Sequence, residues 1–192
     1  MITEAIAPPI TPRHYTEAEY LALEATAETK HELVHGNLIK MAGESVVAND
    51  IANNLIFHLR LALRGQPFRV NQHDLKLRTA SKTGYRYPDV LVRPIGGHID
   101  SHIVHQAILT AEITSDNSHT TDTVDKLHEY TALESLQCYL IISQTEPLVE
   151  MYERTADAGK WLYSYYNNLT NTFTVSSLNL ILSLSDIYES VF

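Results

Sequence analysis

The chain holds a single cysteine, Cys138, which rules out an intrachain disulfide. That cysteine lies in the apolar run Cys138–Ile142, where a small buried hydrophobe is expected and a reducing, cytoplasmic setting fits. Basic residues are scarce, 14 Lys and Arg against 23 Asp and Glu, for a net charge of −9. Sequence-independent duplex binding takes most of its affinity from phosphate contacts, so this balance argues against a constitutive, tight nucleic-acid binder. It leaves a nuclease open, because an acidic site repels phosphate only until a divalent metal reverses the local charge. No apolar stretch approaches the roughly 20 residues that span a bilayer. Met1–Ile10 lacks a basic start followed by an apolar core, so a soluble protein without a secretory signal is expected. No phosphate-binding glycine loop, internal repeat or dividing linker is visible.

What is present suits one domain, since 192 residues can bury one sizeable core. Residues 1–15, with Pro8, Pro9 and Pro12, read as an extended arm, and 16–192 as a single domain. Thr16 and Glu19 form a capping-box pattern that opens a short helix over 17–26. His35-Gly36-Asn37 joins two short strands as a hairpin. Ile51, Leu55, Leu59, Ala62 and Leu63 recur at helical spacing and predict a long helix over 45–64, ended by Gly65 and Pro67. Strands are expected at Phe68–Arg78, Tyr87–Val92 and Ala107–Thr114, then a helix over 121–133 and a strand at Gln137–Ser143. Short strands and a final helix near Leu180–Tyr188 close the chain. This order predicts an α/β (α+β) fold, a mixed sheet covered by helices.

Two carboxylates stand inside apolar strands. Asp89 follows Pro88 in Tyr87–Val92, and Glu112 lies in Leu109–Ile113. Each is costly to desolvate unless something compensates it. On neighbouring strands they can face one point, and two hard oxygen ligands with phosphate and water suit Mg²⁺ or Mn²⁺. On the following helix Asp122, Lys126 and Tyr130 repeat every four residues, and the lysine can hold the attacking water or stabilise phosphate charge. Phosphodiester hydrolysis is the reaction class that follows. Taken singly, each residue also has a plainer reading: Asp89 as a cap after Pro88, Glu112 as a solvent-facing strand end, Asp122 and Lys126 as a helical ion pair.

Other pieces fall in the same order. Glu32-Leu33-Val34-His35-Gly36 leads to Met41, Asn49 and Ile51 head the long helix, and Glu112-Ile113-Thr114-Ser115 and Cys138-Tyr139-Leu140-Ile141 follow. Together these motifs resemble the PD-(D/E)XK nuclease superfamily, and more closely the Uma-two family of restriction-endonuclease-like proteins, over roughly residues 15–188. The resemblance implies a restriction-endonuclease-like core with Asp89 and Glu112 as metal ligands and Lys126 as the catalytic lysine, replacing the motif lysine expected where Thr114 stands. It also implies Glu32 as a further acidic ligand. Asp122 is placed one turn from Lys126 to orient it, and Tyr130 is a supporting, structural residue. Ala48 stands where the family has histidine, Asp116 where it has proline, and Tyr139 where it has tryptophan.

Rival readings are narrower. His98, His102 and His105 suggest zinc only if their segment is helical, and Pro94, Gly96 and Gly97 favour a loop or turn. Lys76, Arg78 and Arg86 read as a solvated strand face, with phosphate contact as the alternative. Tyr163, Tyr165 and Tyr166 read as sheet packing before base stacking. His58 could face solvent or core, His119 and His128 read as surface residues with approach to substrate as the alternative, and Ser115 lacks a nucleophile elbow. The expected function is a Mg²⁺- or Mn²⁺-dependent endonuclease on nucleic acid, DNA foremost, acting as a homodimer by analogy with duplex-cutting nucleases and without membrane contact. The alternative is a non-catalytic protein of the same fold that acts through protein partners.

Overall fold

A computed structural model of the chain describes residues 13–41, 43–72, 74–80, 84–97, 99–100, 102–115 and 121–192, with the side chains of 121–123 excepted. Of the N-terminal arm, only residues 13–15 fall within it.

The strongest apolar runs make the centre of the molecule. Cys138–Ser143 (β10) is buried at every position, the pattern of a strand covered on both faces. It runs parallel to Leu109–Thr114 (β9), and a parallel pair requires a crossover, supplied by the helix Thr121–Thr131 (α3). On the far side of β9 lie Val90–Pro94 (β6) and then Phe68–Gln72 (β3), both antiparallel to their neighbours. On the far side of β10 lie Val149–Arg154 (β11) and Trp161–Tyr166 (β12). The sheet order is therefore β12-β11-β10-β9-β6-β3.

Each face of this sheet has its own helix. In Val46–Ala62 (α2), Ile51, Leu55 and Leu59 are buried against Val90, Val92, Leu109 and Leu140. Ser45 caps α2 by accepting from the Ala48 N–H at 3.0 Å, and Gly65 leaves the helix with φ +80°. On the opposite face, Tyr130 and Leu127 of α3 pack with Leu91, Tyr139 and Ile141. Arg154 ties down the end of α3 and the turn after it: its guanidinium donates to the carbonyls of Thr131 at 3.3 Å, Leu133 at 2.7 Å and Leu136 at 2.8 Å, and it lies 4.6 Å from the centre of the Trp161 ring.

A second sheet lies on the α3 side, in the order β2-β1-β5-β4-β8-β7. Its strands are His31–Val34 (β1), Asn37–Lys40 (β2), Lys76–Arg78 (β4), Tyr85–Arg86 (β5), Ile99–Asp100 (β7) and Ile103–Val104 (β8). The expected hairpin is β1–β2, turned by His35 at φ 49° and Gly36 at φ 81°. The capping box also forms: Thr16 opens Glu17–Glu24 (α1) with Glu19 as its partner. Three expectations change. Phe68–Arg78 is not one strand, because the Asp74 N–H turns back to the Gln72 carbonyl and sends β3 and β4 to different sheets. Tyr87–Asp89 is a link between the sheets rather than strand, with Pro88 unable to donate to a ladder. The histidine run is neither helix nor plain loop: β7 and β8 form a short hairpin, and His98 lies outside the described residues. At the C-terminus Leu180–Tyr188 divides into Leu180–Ser183 (β14), paired with Thr172–Val175 (β13), and the short helix Leu184–Ile187 (α4). Among the described residues, no helix is long and apolar enough to cross a membrane.

Candidate active site

Strand register brings the two acids together. Val90 pairs with Ala111 across the antiparallel β6–β9 pair, so one step further sets Asp89 opposite Glu112. Asp89 is fixed by its Oδ2, which accepts the Ile113 N–H at 2.6 Å. Glu112 is buried, and side chains one helical turn apart hold its two oxygens: Lys126 Nζ donates to Oε2 at 2.8 Å, and Tyr130 OH to Oε1 at 2.6 Å. The crossover explains this, because α3 leaves β9 and returns over the same strand. Glu32, Lys40, Tyr87, Asp89, Glu112 and Lys126 line one cleft of about 200 Å³.

A buried ion cluster closes one wall. Arg86 is fully buried, and its guanidinium donates to Glu32 Oε2 at 2.7 Å and to both oxygens of Glu129 at 2.8 and 3.1 Å. Glu32 also accepts the Tyr87 N–H at 3.2 Å. Arg86 is therefore a buried fastener of β1, β5 and α3, not part of a solvated strand face. Lys76 is half-buried, with its ammonium 5.6 Å from the Tyr87 ring, and Lys30 lies at the same distance. Arg78 donates to Glu17 Oε2 at 3.1 Å.

Electrostatics follow from this packing. Burial pushes the Glu112 carboxyl up to about 7; Lys126 pulls it down, while the charges of Asp89 and Glu32 push it further up. Burial opposes the charge of Arg86, but Glu129 and Glu32 more than offset it and hold the guanidinium above its ordinary value. Burial raises the Tyr130 phenol, and the Glu112 charge adds to that. Burial lowers the Lys76 ammonium.

Residues 17–185 match the model of the Uma2 family, described as "Putative restriction endonuclease". The chain belongs to the Uma2 family. Two Synechocystis proteins are relatives: the "Uncharacterized protein sll1609" is 32% identical over 155 residues, 79% of this chain and 87% of its own length. The "Uncharacterized protein slr1290" is 26% identical over 180 residues, 90% of each chain. The crystal structure of a "putative nuclease belonging to DUF820" from Anabaena variabilis shares the fold, with a TM-score of 0.75 at 19% identity over 92% of this chain and 99% of that one. The architecture of this Uma2 chain is accordingly a restriction-endonuclease-like mixed sheet flanked by helices.

Of the residues singled out in the sequence, Asp89, Glu112, Lys126, Tyr130 and Glu32 meet around the cleft. Asp122 is on α3, but its side chain lies outside the described residues, as does His119. His128 is exposed, and His58 Nδ1 is 3.7 Å from Asp186 Oδ2. Ala48 is buried in the first turn of α2 and does not line the cleft. Tyr163 and Tyr165 are exposed, whereas Tyr166 stacks on Phe173 at 5.1 Å. Sequence reasoning passed over Glu129. The available signal was its place beside Tyr130, on a helix that already carried Lys126.

Proposed function

We propose that this Uma2 chain is a divalent-metal-dependent endonuclease that hydrolyses phosphodiester bonds of nucleic acid, DNA foremost. The observation that carries the reading is Glu112, a buried carboxylate set across from Asp89 and held by Lys126 at 2.8 Å. Among the described residues no three His, Cys, Asp or Glu side chains form a ready-made cage for a metal ion. Mg²⁺ and Mn²⁺ do not need one, since one or two carboxylates with water and phosphate oxygens complete their shell. Asp89 and Glu112 fit that donor set, and Glu32, on the cleft wall with Arg86 and the Tyr87 N–H on its oxygens, would be the further acid. Bound there, the ion lowers the pKa of water and offsets charge on the phosphate.

The protein's own groups supply the rest. Lys126 positions the attacking water or pairs with a phosphate oxygen as one P–O ester bond breaks. Tyr130 fixes the rotamer of Glu112, and Asp122 orients Lys126. Arg86 keeps Glu32 in place. The working unit is a cytoplasmic homodimer that brings one cleft to each strand.

Calorimetry with Mn²⁺ tests the reading on wild type, Asp89→Ala, Glu112→Ala and Lys126→Met, with folding checked by circular dichroism. Binding is expected to vanish in both acid variants and to persist in Lys126→Met. Cleavage by Lys126→Met should fall about 10²- to 10³-fold, the usual loss for one transition-state donor. Well-folded wild type that binds no Mn²⁺, with or without duplex, would reject this reading. It would select a non-catalytic protein acting through protein partners, which the net charge of −9 favours.

A further inference from the structure

The acidic balance of the chain conceals one concentrated basic surface. Arg60, Arg64 and Arg69 line a groove of about 700 Å³ where the end of α2 meets β3, the edge strand of the central sheet. Arg93 stands directly beside Arg69, since the two are cross-strand partners in the β3–β6 pair. Four of the chain's 14 basic residues thus gather at one edge. None of the residues lining the groove is acidic. The contacts of these arginines are to neutral groups: Arg60 to the Val70 carbonyl at 3.3 Å, Arg69 to the Phe68 carbonyl at 3.3 Å, Arg93 to Asn71 Oδ1 at 3.0 Å.

This pattern exceeds what folding asks for. One cation in the last turn of α2 suffices to complement the helix dipole, and Arg60 supplies it. Like charges directly opposite each other on neighbouring strands destabilise a sheet, yet Arg69 and Arg93 are so placed, and among the described residues no carboxylate is ion-paired with either. Exposed guanidiniums in a groove, repelling one another, are a site for an anion, and their planar forks suit phosphate oxygens.

Its position says which anion. Asp89 immediately precedes β6, and Arg93 lies four residues further along, near the strand's other end. Strand alternation puts Asp89, Leu91 and Arg93 on one face, the face where Leu91 meets α3, while Val90 and Val92 turn toward α2. Four residues of strand cover about 13 Å, and a duplex rises about 3.4 Å per base pair along its axis. A duplex that lies along β6 with its scissile phosphate at the cleft therefore brings backbone to Arg93 and its partner Arg69 about four base pairs away, with Arg60 and Arg64 around the β3 edge on the α2 side. Without metal the acidic cleft repels a polyanion, so attraction for a duplex in that state comes from elsewhere on the surface.

We propose that the groove of Arg60, Arg64 and Arg69, with Arg93 behind them, binds the phosphates that flank the cut site on a nucleic-acid duplex. This rests on the nuclease reading of the cleft for its choice of anion. The test is fluorescence anisotropy of a labelled DNA duplex without divalent metal, over a series of salt concentrations, on wild type and on Arg60→Gln/Arg64→Gln/Arg69→Gln. All three positions are exposed, so the variant is expected to fold, as thermal unfolding will verify. Lys160→Gln, at the opposite, β12 edge, is the control. The triple variant should bind at least about tenfold more weakly, with the slope of log K against log salt reduced by ~0.9 for every phosphate that the arginines no longer neutralise. The control should match wild type. With metal present, KM should rise in the triple variant while kcat holds.

Unchanged affinity and slope in the triple variant would overturn the inference and leave the cleft's chemistry untouched. No duplex binding by wild type at low salt would overturn it as well. Groove-dependent binding without cleavage under any metal would uphold the groove and reject the nuclease reading of the cleft.

Discussion

Burial in the cleft raises the Glu112 carboxyl to about 7. An acid whose pKa rises on folding binds its proton more tightly in the native state, so its share of stability is complete below the unfolded value. That share is lost as pH rises from the ordinary 4.5 toward about 7, and is constant above. A shift of this size amounts to about 3 kcal/mol. In chelator-containing buffer, urea midpoints of wild type should therefore fall across this window relative to Glu112→Gln, which lacks the titration. Parallel midpoint profiles for the two proteins would refute the buried-charge account. Tyr130 and Lys126 bear on the same point, because their donated hydrogen bonds keep a charged Glu112 tolerable at neutral pH.

At the scale of elements, the Arg86 cluster joins a strand of the first hairpin, the short β5 and the crossover helix. Removing one member of a buried ion network strands the others without compensation, at a cost of about 3–5 kcal/mol. Arg86→Met should lose that much by urea unfolding, and adding Glu32→Gln and Glu129→Gln should restore most of it. A single variant as stable as wild type would show that the cluster does not hold the elements together.

This cluster also marks what the sequence could not disclose. Arg86 lies 54 residues from Glu32 and 43 from Glu129, and nothing local signals either pairing. With two flanking tyrosines as its only context, it reads as one more strand cation. The arginine groove is hidden for the same reason, its members coming from a helix, a loop and two strands. In contrast, Asp89 and Glu112 were legible because an acid in an apolar run carries its desolvation cost in plain view. The α2 face and β10 were legible because burial imprints a period, or its absence, on the residues. The split of 68–78 was missed because the chain changes sheets within a few polar residues, where alternation has no power.

For the molecule as a whole, the central sheet ends in two edges of different character. One, β3, carries the arginines; the other, β12, exposes Leu162, Tyr163 and Tyr165. Under the proposed nuclease reading, one such cleft would cut one strand, so double-strand cleavage would call for two copies. Sedimentation velocity with a duplex and Ca²⁺ should reveal two chains per duplex. One chain per duplex, together with nicked products only, would remove the dimer from the proposal.

Trp161 is the chain's only tryptophan, and it stacks on Arg154, whose guanidinium also donates to the Thr131 carbonyl at the end of α3. The protein thus carries an intrinsic optical reporter. Loosening of that helix end alters what lies against the indole, and its emission should register the change without any label. Lys126 and Tyr130 ride on the same helix, so one fluorescence trace follows the element that sets the cleft's geometry.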